Sequence, residues 1–280
     1  MRPFSYLFTF LVSIALLATG AALARAQAPQ ISAGGIGNAA SGSVPVAPGS
    51  LISIYGSNLS PVMDSAPSIP LPPTMDGVRV TVNGVTAPLW FVSSGQINAE
   101  IPWEALAAAP PVTSSTVQVI VATTAGGASA PANLTIAPTG PGIFTFSYGS
   151  GQAIAYNYSD GSFASSTSIA GFPTVPVRPA KINDPNPLVI YATGLGAVSP
   201  AVSDGGVPAA GVISYAVATP KVLIGNVEAN VLFAGLSQDP GVYQLNVTIP
   251  SGTPTGSAVP LQIQMNGFTT RGDVTIAVSQ

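Results

Sequence analysis

The sequence predicts an all-β chain made of two antiparallel β-sandwiches in tandem. Three observations predict this. One order of segments occurs twice: residues 51–59, 78–91 and 96–102 are matched in order and spacing by residues 188–195, 221–233 and 244–250. A self-similarity of this length means two copies of one domain, not an array of short repeats. The segments also alternate with period two. Tyr243, Leu245, Val247 and Ile249 fall on one face and Gln244, Asn246 and Thr248 on the other, and Ile97, Ala99 and Ile101 repeat the apolar phase in the first copy. One face is core and the other is wet, as in an antiparallel sandwich. Finally, helix signals are nearly absent; residues 103–109, before Pro110-Pro111, could make a single turn.

Residues 1–26 read as a secretion signal. Arg2 is the positive start, residues 7–17 are a short apolar run, and Ala24-Arg25-Ala26 offers small residues at the cleavage site. The run is short for a bilayer span, so cleavage before Gln27 is read in preference to a membrane anchor. No later segment reaches that length without Pro, Gly or polar residues, so no membrane insertion is expected after signal removal. The expected destination is secreted, periplasmic or cell-surface.

The first sandwich is assigned to residues 27–138. Its Gly-rich start, residues 27–42, is expected to lie flat or loose on the domain. The strand at 51–59 leads into a long loop, 60–74. A hairpin follows, in which Asn83-Gly84 supplies the positive φ that a tight two-residue turn demands. Strands at 96–101, 117–123 and 132–137 complete the unit, and Thr139-Gly140-Pro141-Gly142 is the joint. The second sandwich, 139–280, opens with a hairpin of residues 143–147 and 152–158. It continues with a strand at 188–195, a long loop at 199–219, a hairpin turning at Gly225-Asn226, and strands at 244–249, 259–265 and 268–278. The two long loops occupy equivalent places. They read as Pro-stiffened crossovers between sheets, with a functional loop as the alternative.

Composition excludes several functions. Loss of Arg2 and Arg25 with the signal takes the formal net charge from −3 to −5. The remaining cations, Arg79, Arg178, Lys181, Lys221 and Arg271, are scattered, so no basic stripe exists for nucleic acid. No basic amphipathic helix suggests a membrane surface. There is no Cys, and sandwiches of about a hundred residues can bury enough apolar surface without disulfides. There is no His, which removes the commonest general base and metal ligand. Without His, stability is expected to be flat between about pH 5.5 and 8.

Few residues suggest chemistry. Glu100 and Glu104 flank Pro102-Trp103, and a carboxylate pair beside an aromatic is what sugar hydrolysis uses. The second copy has Thr248 in place of Glu100, which favours an ordinary strand-end acid. Asn183-Asp184-Pro185-Asn186 could offer oxygens to calcium, but a polar turn is the simpler reading. Gln96 with Asn98, and Gln244 with Asn246, recur on the polar face and are expected to bond to the backbone of a covering loop. Trp90 is expected to point outward: the turn alignment puts Val85, Ala87, Leu89 and Phe91 inward and sets Trp90 opposite Leu232. The ligand-binding candidates are therefore Trp90, Trp103, Glu100 and Glu104. No catalytic residue, cofactor or metal is expected.

The pieces Asn38-Ala39-Ala40-Ser41, residues 47–51 and 54–59, Gln96-Ile97-Asn98 with Pro102-Trp103, residues 191–196 and residues 241–247 resemble the Solibacter-type uncharacterised C-terminal domain family of secreted bacterial proteins. The resemblance begins near Asn38 and spans the rest of the chain. It implies halves similar to immunoglobulin-like domains of the plexin and transcription-factor type (IPT/TIG), with no catalytic residues to carry over. Here nothing separates the signal from the domain, so the domain is expected to be the whole protein. The function expected is a non-catalytic interaction module in adhesion or an extracellular assembly. The alternative is a carbohydrate-binding module, and the partner, protein or glycan, is open.

Overall fold

The computed structural model describes residues 27–106 and 114–280. The expected secretion signal, Pro110-Pro111 and the end of the turn expected at 103–109 lie outside the described residues. Those residues form strands and turns, with no helix among them. None therefore contains a helix long and apolar enough to cross a membrane.

The first sandwich has two five-stranded sheets. One orders Gln30–Asn38, Leu51–Ser57, Gln96–Glu100, Leu89–Val92 and Asp64–Ser65. The other orders Ala132–Ile136, Ser115–Thr123, Val78–Val82 and Val85–Ala87, with Gly127–Ala128 beside Ser115–Thr123. Ile52, Ile54, Val80, Leu89, Ile97, Val119 and Leu134 fill the space between them. The start of this unit takes the flat alternative and is more regular than expected. Gln30–Asn38 is a strand paired with Leu51–Ser57, not a loose segment. Its alternation is masked by Gly34-Gly35, which sit where the register shifts between Ile31 and Ile36.

In the second sandwich a single hydrogen-bonded path joins both layers. It runs through Gly142–Ile143, Leu188–Thr193, Tyr243–Thr248, Val227–Leu236, Lys221–Ile224, Gly256–Met265, Val274–Ser279 and Gly151–Gln152. Val227–Leu236 makes the crossing. Its start pairs with Lys221–Ile224 and its remainder with Tyr243–Thr248. The first sandwich follows the same course but breaks at Pro88, leaving Val85–Ala87 in one sheet and Leu89–Val92 in the other. Proline has no N–H for a ladder and suits the crossing point.

Equivalent registers recur in the two units. Asn83 and Gly84 have φ of 53° and 81°, and Gly225 and Asn226 have 58° and 67°, as the hairpin reading required. Tyr55 is opposite Gln96, and Tyr191 is opposite Gln244. Each unit also carries a bulge, between Leu89 and Phe91 and between Val231 and Phe233. A bulge adds a residue to one strand and reverses its alternation. Phe91 therefore joins Asn98 on the outward face, and Phe233 joins Asn246. The inward position expected for Phe91 is taken by Val92. The extra residues are Trp90 and Leu232, and Leu232 is 53% exposed.

The hairpin that opens the second unit is an excursion from a strand. Gly142–Ile143 and Ala155–Asn157 pair with the two ends of Leu188–Thr193. Between them the chain leaves the sheet, closed by hydrogen bonds from Phe146 N–H to Gln152 O and from Ile154 N–H to Phe144 O. Tyr148 sits near its tip at φ 57°. The 183–186 segment is a polar turn, with Asp184 Oδ1 accepting hydrogen bonds from Asn186 N–H and Nδ2.

Candidate functional site at the junction of the sandwiches

The candidate residues gather where the sandwiches meet. The middle of the junction is tight. Asn38 is buried; its Nδ2 donates to the Gly140 carbonyl at 2.9 Å and its Oδ1 accepts Ala40 N–H at 2.8 Å. Thr193 Oγ1 accepts Leu51 N–H at 3.0 Å and donates to the Gly241 carbonyl at 2.6 Å. A Cβ on Gly241 would stand 2.7 Å from Leu51 Cγ, at a φ of +70°. Only glycine admits this approach without strain.

One edge of the junction is closed. Glu100 ends its strand fully buried, and its Oε1 accepts Gly205 N–H, from the second sandwich, at 2.9 Å. The Gly205 carbonyl accepts Leu71 N–H at 2.8 Å, so the two long loops meet here. Asp204 Oδ1 accepts Trp103 N–H at 2.9 Å. The Trp103 ring lies so close over Gly49 that a Cβ there would come within 2.0 Å of it. The same ring packs on the core of the second sandwich. Its Nε1 is buried and finds no hydrogen-bond partner among the described residues.

Burial pushes the Glu100 carboxyl up to about 8; the nearby Asp204 charge adds to this, and the Gly205 N–H pulls the other way. Burial also raises Asp204, opposed by its bond from Trp103 N–H and reinforced by Glu104. The flat stability expected between about pH 5.5 and 8 is therefore revised. A carboxyl made reluctant to ionise takes the place of the missing His. Glu104 is exposed beside Asp204.

The other edge is open. A groove of about 540 Å³ is lined by Trp90, Asn98, Phe144, Tyr148, Tyr191 and Asp239, which come from both sandwiches. Trp90 is half-buried and outside the core of its own sandwich. The loop at 60–74 borders it through a bond from Ala66 N–H to the Trp90 carbonyl. Tyr148, 55% exposed, shares a 2.8 Å hydrogen bond with Ser53 Oγ and accepts one from the Tyr55 hydroxyl. The Tyr55 and Tyr148 rings meet edge to face at 6.5 Å. Burial, helped by the hydrogen bond with Tyr148, pushes Tyr55 up to about 12; burial, helped by Tyr156, does the same to Tyr191. Both phenols stay neutral in any ordinary medium.

Near Tyr191, a second groove of about 310 Å³ is lined by Ile213, Phe233, Gln238, Gln244 and Asn246, among others. The amide pairs differ from expectation. Gln96 Nε2 donates to Asn98 Oδ1 at 2.7 Å, and Gln244 Nε2 to Asn246 Oδ1 at 2.8 Å. They bond each other, not a covering loop, and the asparagine NH₂ groups are left for other partners. The structure thus separates the sequence candidates: Trp90 lines the groove, whereas Glu100, Trp103 and Glu104 lie at the closed edge. Sequence reading missed Tyr148, Phe144, Tyr191 and Asp239. Tyr191 had a signal, since Tyr55 and Tyr191 hold equivalent places on the wet face of the repeated segment.

Residues 41–137 match the IPT/TIG domain family, an immunoglobulin-like β-sandwich. No curated protein sequence matches the chain. Among solved structures, it is similar to the Bacteroides ovatus mixed-linkage glucan utilization locus SGBP-B in complex with mixed-linkage heptasaccharide. That match has 14% identity and a TM-score of 0.36, and covers 91% of this chain and 46% of the other. The plexin A4 full extracellular region gives 10% identity, 93% and 19% coverage and a TM-score of 0.25. The gamma-CGTase from Alkalophilic bacillus clarkii gives 11%, 91% and 26%, and 0.27. The chain spans less than half the length of each of these structures. Likeness at this level says nothing about what the chain binds.

Proposed function

We propose that this chain is an exported, non-catalytic interaction module at the bacterial surface or in the periplasm. The two clasped sandwiches present one binding groove, serving adhesion or an extracellular assembly. One observation carries this reading: Trp90 and Tyr191 from a strand of each sandwich, and Tyr148 from the excursion of the second, converge on one open groove. Aromatic side chains left half-exposed at a concave site are typical anchors for a partner. A non-catalytic role is supported by Glu100, whose carboxyl is buried away from the groove and accepts Gly205 N–H. Placement in the Solibacter-type family, with two copies of one domain at 27–138 and 139–280, belongs to the same proposal.

The test is binding of the labelled exported chain to the envelope fraction of the bacterium that produces it. Trp90→Ala is expected to weaken binding tenfold or more while the melting temperature hardly moves. Unchanged binding by this variant would contradict the reading. A carbohydrate-binding module is the second reading, favoured by the presence of Trp90, Phe144, Tyr148 and Tyr191 in one groove.

A further inference from the structure

We infer that the two grooves form one track and that its occupant is a neutral oligosaccharide chain long enough to span both. The inference rests on the proposed function and supplies its ligand class. Continuity follows from the strand pairing. Tyr191 lines the first groove, and its direct cross-strand partner, Gln244, lines the second. Asp239 lines the first and its neighbour Gln238 the second. Tyr191 and Gln244, one on each groove, are thus about one strand spacing apart, roughly 5 Å. Each lies in the size range of a small-molecule site, about 300–1,000 Å³. Two such sites sharing a wall suit a chain of linked rings better than one compact molecule.

The lining chemistry selects the class. A sugar ring offers an apolar C–H face bordered by hydroxyls. Trp90 and Tyr148 in one groove, and Phe233 in the other, offer apolar ring faces. Asn98, Gln244, Asn246 and Asp239 offer hydrogen-bond donors and acceptors beside them. Among the described residues, no Lys or Arg lines either groove, and Asp239 is the only charged group there. Phosphorylated, sulfated or uronic-acid chains would meet a carboxylate and no cation. A purely apolar peptide segment would strip water from the amides without replacing their hydrogen bonds. A neutral polyhydroxyl chain meets neither penalty.

The test is calorimetry of the full exported chain with neutral gluco-, manno- and xylo-oligosaccharides, from the disaccharide upward, and with an anionic polyuronate. In at least one neutral series, affinity should rise with length and then level off. Trp90→Ala should weaken all lengths about tenfold or more, and Trp90→Tyr, which keeps a flat ring, should recover most of that loss. Phe233→Ala should weaken only the long chains and leave the disaccharide unchanged. Affinity independent of length, or an equal loss for every length in Phe233→Ala, would overturn the single track. Binding of the polyuronate but of no neutral chain would overturn the ligand class. So would Trp90-dependent envelope binding that survives removal of glycans by glycosidases, although the proposed function would then stand. If Trp90→Ala changes no binding at all, both readings fail.

Discussion

The two edges of the junction are built from similar materials to opposite ends. Each has a Trp from the first sandwich and a carboxylate within reach. At the closed edge, Trp103 is pressed on Gly49 and on the second core, and Asp204 is tied to its backbone N–H. At the open edge, Trp90 is the extra residue of a bulge, and Asp239 is exposed across a groove. The difference lies in the backbone. The 199–219 loop reaches over one edge and supplies Gly205 and Asp204; over the other edge the 144–154 excursion stops at Tyr148. One side of an interface can therefore be spent on fixing orientation while the other stays free for a ligand. The aromatic residue that carries stability and the one proposed to carry binding can be told apart by what covers them.

The largest expected effect is at the closed edge. Trp103→Ala should remove about 3–5 kcal/mol from the unfolding free energy, read from urea melts, because it empties a site shared by both sandwiches. A loss under about 1 kcal/mol would show that this edge does not clasp. Gly241→Ala comes next. Its Cβ would press on Leu51 at a positive φ, for a cost of about 1–3 kcal/mol, and thermal melts of this variant report on the middle of the junction.

The third expectation concerns pH. The folded-state value for Glu100, about 8, lies above its ordinary 4.5. In that interval the unfolded chain has lost the proton and the native chain still holds it. Stability is therefore greatest at the low end, falls as pH rises from about 4.5 to about 8, and levels off above. The raised Asp204 acts in the same sense. Glu100→Gln should flatten the curve of melting temperature against pH. An unaltered slope would place the titrating group elsewhere. The smallest effect is at the open edge, where Trp90→Ala should change stability by less than about 1 kcal/mol.

Much of the fold was legible because it is local. Alternation over a few residues marks the Tyr243–Thr248 strand, and Asn83-Gly84 or Gly225-Asn226 marks a turn wherever it occurs. The bulges were not legible. Nothing in Leu89-Trp90-Phe91 announces an inserted residue, so the expected phase held to Leu89 and failed at Phe91. The strand Gln30–Asn38 was hidden because glycines carry no side chain with which to alternate. At the site, Trp90 could be placed on the outward face by aligning the turns of the two copies. Glu100 could not be interpreted, because the group that buries and bonds it, Gly205, lies 105 residues away. Long-range pairing of this kind leaves no periodic trace.

The two-edged junction is tested most directly by its own fluorescence, since Trp90 and Trp103 are the only tryptophans. Trp90→Phe and Trp103→Phe each leave one reporter. Both rings are partly buried, but the indole Nε1 of Trp103 is buried, so the Trp103 reporter should emit at shorter wavelength and be quenched less by acrylamide than the Trp90 reporter. Equal quenching of both would mean that the closed edge opens in solution, and would contradict the account.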